Sequence, residues 1–449
     1  MIVPTGIATD ATTAPFFGYL VSRQRLAALT DFENRAGLFP AVDSRMKFCL
    51  LTIGSGVTAA DFAFFLTDPT QLEDMRRRFT LSPAEIAWIN PNTKTAPVFR
   101  SRRDAELTAS IYNRVPVLIE DGRDGGNPWR IQFRQGLFNM ASDSALFRTA
   151  AQLAEEGFCR EGADWVRDDV ARYVPLYEAK MFNFYDHRFG DYASRGEDRG
   201  YRVMPETPLS CYQDFAFDPT PYYWVSTVDL NDRLSVGGAR EWLLGFKDVT
   251  SATNERTAIF SIIPKVGVGH TAPLLFSDME PSLLCGLYGN VNALSLDYTA
   301  RTKVAGLHLT YGYLKQLAIL PPSAYSEGDL AFIVPRVLEL TYTSHSMGPF
   351  ARDLGYKGAP FAWDEDRRAQ LRAELDAWYA LAYGLTRDEL RYVLDPADVL
   401  GADYPSETFR ILKSNEERKF GEYRTSRLVL AAYDELMAQG VRPRLEGYR

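Results

Sequence analysis

Asp31-Phe-Glu-Asn-Arg35, Leu38-Phe39-Pro40 and Asp43-Ser-Arg-Met-Lys-Phe-Cys-Leu-Leu-Thr-Ile-Gly54 decide how this chain is read. Met46–Ile53 is a run of β-favouring and apolar residues closed by Gly54, which predicts a buried strand. Leu29–Glu33 reads as the end of another strand. Upstream, Ile2-Val3 is a short strand stopped by Pro4, and Phe16, Phe17, Leu20, Val21, Leu26 and Leu29 carry helical spacing over 16–29. Strand, helix, strand, turn, strand is the tail of an α/β sheet. A sheet opening this way is expected to lack its first strands and to leave an apolar edge.

Further along, helices are expected at Gln71–Phe79 and at Ser82–Trp88, the second introduced by Ser82-Pro83. The turn-rich stretch Glu120-Asp-Gly-Arg-Asp-Gly-Gly-Asn-Pro128 marks the first boundary. From there to about 330, short β runs such as Tyr222–Val228 and Thr257–Ile263 alternate with aromatics and glycines, which reads as an α+β domain. Beyond Pro321-Pro322 the periodicity turns helical over Asp364–Tyr383, Thr386–Leu394 and Ser426–Gln439, with Thr386 and Glu389 spaced as a capping box. The expected segments are 1–120, 121–330 and 331–449.

Composition bounds the possibilities. A chain of 449 residues with 46% hydrophobic and 24% charged residues has room for two or three cores. No window approaches a bilayer span, and the opening Met1-Ile2-Val3-Pro4-Thr5-Gly6 has neither a basic region nor a small-residue cleavage site. No membrane partner and no secretory leader are expected. Cys49, Cys159, Cys211 and Cys285 form no Cys-x-x-Cys pair, so neither a zinc site nor a disulfide scaffold is indicated and a reducing, cytoplasmic setting fits. The net charge of −8 does not exclude nucleic acid, because phosphate binding needs only one basic face. Arginines cluster at 76–78 and 100–103.

Together with Ile2-Val3-Pro4-Thr5-Gly6-Ile7-Ala8-Thr9-Asp10, the quoted blocks resemble the later strands of the catalytic domain in Type IIG adenine-N6 DNA methyltransferases. They resemble equally the adenine methylases of BREX and DISARM defence systems. The likeness covers nearly the whole chain through many short blocks. It implies an α/β remnant of a Rossmann-like methyltransferase sheet, then an α+β target-recognition domain, then a helical C-terminal segment. It also implies a pocket for an adenine flipped out of the duplex. Asp43, Arg45, Lys47 and Phe48 would wall that pocket, with Phe48 stacking on the base. The same pattern also fits Phe48 as a core residue of a buried strand.

Leu176-Tyr-Glu-Ala-Lys-Met181 with Asp186-His187-Arg188-Phe189 and Tyr192 resembles the entry to the recognition region, with Ala179 where the family has glycine. Lys180, His187 and Arg188 are candidate DNA contacts. Arg256-Thr257 through Lys265, Leu294–Lys303 and Gly306-Leu-His-Leu-Thr310 resemble recognition domains shared with Type I specificity subunits. Arg256, Arg301, Lys303 and His308 are candidates there. The last block, from Gly355 to Thr425, resembles the family's helical segment, and Phe420–Thr425 could touch DNA or a catalytic partner.

No glycine-rich donor loop and no Asn-Pro-Pro-aromatic motif stand in the sequence. Asn90-Pro91-Asn92-Thr93 lacks the second proline and the aromatic, and reads as an ordinary turn. S-adenosylmethionine is therefore expected only with a separate catalytic half. The expected partners are double-stranded DNA, that half, and other defence-system subunits. No catalytic residue and no metal ligand are assigned to this chain. Two other readings stay open. One is a stand-alone DNA-binding specificity protein. The other is a metal-dependent endonuclease, from Asp169 with Glu178-Ala-Lys180.

Overall fold

The computed structural model describes residues 1–10, 12–168, 171–193, 204–234, 240–304, 306–441 and 443. The N-terminal sheet has five strands: β1 Ile2–Pro4, β2 Leu26–Glu33, β3 Lys47–Ile53, β4 Ala60–Leu66 and β5 Phe79–Leu81, in the order β1-β3-β2-β4-β5. β3 runs antiparallel between β1 and β2, and β4 pairs parallel with β2. β1, β2 and β4 therefore point the same way and end at one edge. The sheet is mixed, with β3 and β5 running against the other three strands.

Alternation along β3 sorts its side chains. Cys49 and Leu51 face inward with Leu29 of β2, packing with Phe17, Leu20, Phe62, Phe64 and Phe79. Ile2 and Leu50 pair across β1 and β3 on the opposite face and stay 63% and 38% exposed. The Met46–Ile53 run thus forms the expected strand, but half of it faces outward. β1 lies at the sheet edge.

Three local expectations change. The helix over 16–29 stops at Ser22, Gln24 takes a left-handed φ of 53°, and β2 starts at Leu26. Gln71–Phe79 is not a helix. It forms short 3-10 turns at Pro69–Glu73 and Met75–Arg77, and then enters β5. The side chains of Asp68 and Asp74 accept from the Thr70 and Arg76 N–H groups at 2.8 and 3.0 Å, competing with helical bonding. Tyr222–Val228 is a strand only at Trp224–Ser226, and Thr227 begins a helix. The Ser82 helix forms over Pro83–Ile89. The Ser82 N–H donates to Glu85 Oε2 at 2.7 Å, and the Glu85 N–H donates to the Ser82 hydroxyl at 3.3 Å.

The middle of the chain is α+β. One sheet centres on Ala171–Tyr177, between Asp164–Arg167 and Trp224–Ser226. Another centres on Trp242–Phe246, between Phe260–Pro264 and Leu274–Phe276. Helices take over from Pro281, well before residue 331, because Leu284–Asn292 and Leu294–Ala300 are buried throughout. The later helices Glu365–Ala382, Arg387–Leu394 and Arg424–Ala438 match the periodicity. Thr386 and Glu389 form the reciprocal cap, at 3.0 and 3.2 Å. One apolar cluster runs from Ala8 to Leu436, so the N-terminal sheet and the helical segment share a core. A second lies within Leu137–Leu274. Among the described residues no helix is long and apolar enough to cross a membrane.

Candidate functional site

A cavity of about 510 Å³ opens where β1, β2 and β4 end. Pro4, Thr5 and Gly6 come from the end of β1, Asp31 and Glu33 from β2, and Phe65 from β4. Lys47, at the start of β3, and Arg100 complete this wall. In open α/β sheets the carboxyl ends of parallel strands are the usual place for a ligand, because strand ends and loops leave a crevice there. The opposite wall comes from later chain: Ser251–Thr253, Tyr298, Arg301 and Ser406–Ile411. The N-terminal sheet, the α+β region and the helical segment therefore meet around one opening.

The register of β2 and β4 shapes the near wall. Thr30 pairs with Ala63 and Phe32 with Leu66, so β4 carries one extra residue opposite Asp31. This bulge turns Phe65 into a left-handed φ of 60°, a conformation that costs a non-glycine residue energy. The Phe65 N–H then donates to Asp31 Oδ2 at 3.3 Å, and the Thr5 hydroxyl donates to Asp31 Oδ1. Arg100 lies over the Phe65 ring at 4.3 Å and Lys47 at 5.3 Å. Burial pushes the Asp31 carboxyl above its ordinary range, opposed by the Thr5 and Phe65 bonds and the Lys47 charge. Burial acts the same way on Glu33. There Lys47 at 3.0 Å and Arg35 at 2.7 Å, with Arg100, outweigh it and hold the carboxyl below its usual range. The wall offers acceptor oxygens, cationic donors and an aromatic ring within one recess.

The expected pocket residues divide around this wall. Lys47 lines the cavity. Phe48 alternates to the other face, stacked on Phe32 at 5.5 Å and edge-on to Phe39 at 5.0 Å in a small cluster with Leu66 and Ala63. Its role as the stacking surface is thus corrected: its ring is engaged by its own sheet. Asp43 and Arg45 pair with each other at 2.8 Å in the exposed 39–46 loop. Asn34 fastens that loop through bonds to Phe39 and Val42 of 2.8–3.0 Å.

Most of the expected DNA contacts are internal. His187 is buried against the Ser344 hydroxyl at 2.8 Å, and burial, then Arg188 and Arg368, push its pKa well below the ordinary value. Arg188 is fully buried and donates to the carbonyls of Tyr212, Asp214, Phe217 and Thr343. Arg256 is buried and donates to the Asn292 carbonyl. Every nitrogen of Arg301 is engaged, with Asp297 and with the carbonyls of Ala252, Asn254, Glu255 and Thr408. Lys303 is buried, with Nζ donating to the Ile89 carbonyl and to Asn90 Oδ1 at 2.6 Å, and burial lowers its pKa well below the usual range. Arg188, Arg301 and Lys303, with their donors taken up in this way, do not reach a phosphate. Their donors satisfy backbone carbonyls that would otherwise be stranded in the core. His308, beside Asp248 at 3.0 Å, and Lys180, 3.5 Å from Glu178, remain at the surface.

The 90–93 turn is structural, as its sequence suggests. Asn92 donates to the Ile119 carbonyl at 2.9 Å and accepts from the Asp121 N–H at 2.8 Å. For the nuclease reading, Asp169 lies outside the described residues, and Glu178 accepts the Tyr192 hydroxyl at 2.8 Å. Among the described residues no group of three or more His, Cys, Asp or Glu side chains is placed to hold a metal ion. All four cysteines are free thiols.

Thr5, Asp31, Glu33, Phe65 and Arg100 were not singled out as a site by sequence reasoning. Asp31 carried a usable signal: alternation puts it on the inward face with Leu29 and Cys49, where an acid needs a reason. No protein-family model matches the chain, and no curated protein matches it. One solved structure it is similar to is described as the type IIG restriction endonuclease BpuSI, with 13% identity and a TM-score of 0.32. The match covers 84% of this chain and 46% of that one, so the chain spans less than half its length. With a score this low, the functional reading rests on the residues themselves.

Proposed function

We propose that this chain is the DNA-reading part of a site-specific adenine-N6 DNA methyltransferase of the restriction or phage-defence type. A separate polypeptide segment supplies the Asn-Pro-Pro-aromatic motif and S-adenosylmethionine. The observation that carries the reading is the cavity at the carboxyl ends of β1, β2 and β4, bounded by the sequence blocks that resemble this family. Base chemistry of this kind needs the nucleotide extruded into a recess with a stacking face and polar groups for its edge. Adenine offers an exocyclic amino donor and ring-nitrogen acceptors. Carboxylates at Asp31 and Glu33, cations at Lys47 and Arg100, and the Phe65 ring suit that pattern. The flipped base enters here, while His308 and Lys180 meet the duplex.

Co-expression with a polypeptide bearing the catalytic motif, followed by methyl transfer to duplex DNA, tests the proposal. Phe65→Ala and Arg100→Ala are expected to lower methylation at least ten-fold, with duplex binding retained. A chain that binds no duplex DNA and joins no such polypeptide overturns the reading, as does full methylation by both variants.

A further inference from the structure

A second cleft, of about 270 Å³, lies between the helices Glu365–Ala382, Arg410–Phe420 and Arg424–Ala438, floored by Phe184. Arg256, Arg372, Lys419 and Arg424 all line it. Arg256 and Arg372 hold their guanidinium groups 5.0 and 5.5 Å from the centre of the same Phe184 ring. Lys419 and Arg424 approach Phe420 on the rim at 5.0 and 4.8 Å. Burial holds the Arg372 guanidinium below its ordinary range; the Glu365 and Asp376 charges oppose this, and the like charges of Arg256 and Arg424 add to it.

The donors here are underused. Arg256 is only 5% exposed, its Nε has no partner, and its one hydrogen bond among the described residues runs from Nη2 to the Asn292 carbonyl. Arg372 makes no hydrogen bond or ion pair among the described residues, although it sits against the cleft. A buried guanidinium with idle N–H groups is costly unless something accepts from them.

Four carboxylates also line the cleft, and each is taken up elsewhere. Glu416 accepts from the Thr425 N–H and hydroxyl at 2.7 and 2.6 Å, and Glu255 accepts from Asn415 at 2.8 Å. Glu365 accepts from the Trp363 indole and Asp376 from the Leu294 N–H, both at 2.7 Å. None lies within ion-pair distance of Arg256 or Arg372. Outside the lining, Asp366 pairs with Arg424 at 2.9 Å, and Asp376 acts on Arg256 and Arg372 only through space, without an ion-pair contact.

We infer that this cleft binds a phosphate-type oxyanion, held by Arg372, Arg256 and Arg424 with Lys419 at the mouth. Planar guanidinium forks match tetrahedral oxyanions bidentately, and the Phe184 ring holds two of them in place. The source is either a backbone phosphodiester of nucleic acid or a small phosphorylated ligand. The inference needs no methyl donor and stands apart from the base cavity.

The test uses the full chain and inorganic phosphate. Thermal unfolding of the wild type in phosphate, against chloride at matched ionic strength, should show a saturable rise in Tm. R372M and K419Q should weaken the apparent phosphate affinity at least ten-fold. Lys419 is exposed, so K419Q reports on the site even where R372M lowers stability. Duplex oligonucleotide binding by the same variants separates the sources. Weaker binding with a salt slope reduced by about one marks a backbone phosphate. Unchanged duplex binding with lost phosphate response marks a small ligand. A wild type with no saturable response, or both variants responding as the wild type does, overturns the inference.

Discussion

The Phe65 N–H, turned aside by the bulge in β4, is taken by the Asp31 carboxylate at 3.3 Å, so one strand irregularity and one buried acid depend on each other. The left-handed backbone at Phe65 is kept because that N–H has an acceptor, and Asp31 stays in the core because two donors meet it. Strain of this kind persists only where its surroundings enforce it, and it commonly sits beside a site.

Asp31→Ala should therefore lower stability by about 1–3 kcal/mol, the usual range when a buried donor loses its acceptor. The Thr5 hydroxyl and the Phe65 N–H would both be left without that acceptor. Urea unfolding of the two proteins measures the difference. A variant as stable as the wild type would show that the bulge is held by other contacts.

Lys303 and His308 should behave oppositely although both stand in one basic block. Lys303→Met removes the donor that serves the Ile89 carbonyl and Asn90, and should cost about 1–3 kcal/mol of stability. Its duplex affinity, measured where the protein is still folded, should not change. His308→Ala should leave the midpoint in place and weaken duplex binding roughly two- to five-fold, as for an exposed contact of about 0.5–1 kcal/mol. Unfolding curves and fluorescence anisotropy on the same preparations separate the two behaviours.

Asp376 gives a pH signature. Burial raises its carboxyl from an ordinary 3.8 to about 6, against the charges of Arg256 and Arg372 and the Leu294 N–H. Between those values the folded state binds a proton that the unfolded state has lost, so this group's contribution falls as pH rises through about 6. Asp376→Asn keeps an oxygen for the Leu294 N–H but does not ionise. Relative to the wild type it should gain stability from pH 4 to pH 7, by at most about 3 kcal/mol at 1.36 kcal/mol per pH unit. Tm values across that range should show the two proteins diverging. A constant gap would mean that Asp376 titrates normally.

Local features of the fold were legible because they are written within a few residues. The helix opened by Ser82-Pro83, the Thr386/Glu389 cap, the β3 strand and the late helices all follow from short-range spacing. The Gln71–Phe79 helix failed for an equally local reason, since Asp68 and Asp74 form side-chain bonds that short 3-10 turns satisfy better. The candidate site was legible only in part. Lys47 lines the cavity while Phe48 packs on the other face, and a run of apolar residues does not reveal which alternate positions meet the core.

By itself, the sequence determined the β3 strand, the Thr386/Glu389 cap, the late helices and the family likeness of the chain's blocks, because these rest on neighbours in the chain. Tertiary structure alone decided which charged residues are free to act. Arg188, Arg301 and Lys303 look like DNA contacts in one dimension, yet each meets carbonyls far away in sequence, such as Thr343, Thr408 and Ile89. A guanidinium or ammonium takes whichever acceptors folding brings to it, and in a closed core those are stranded backbone oxygens rather than phosphates. The same long-range packing brought Arg256, Arg372, Lys419 and Arg424 to one cleft, a grouping that no sequence spacing records.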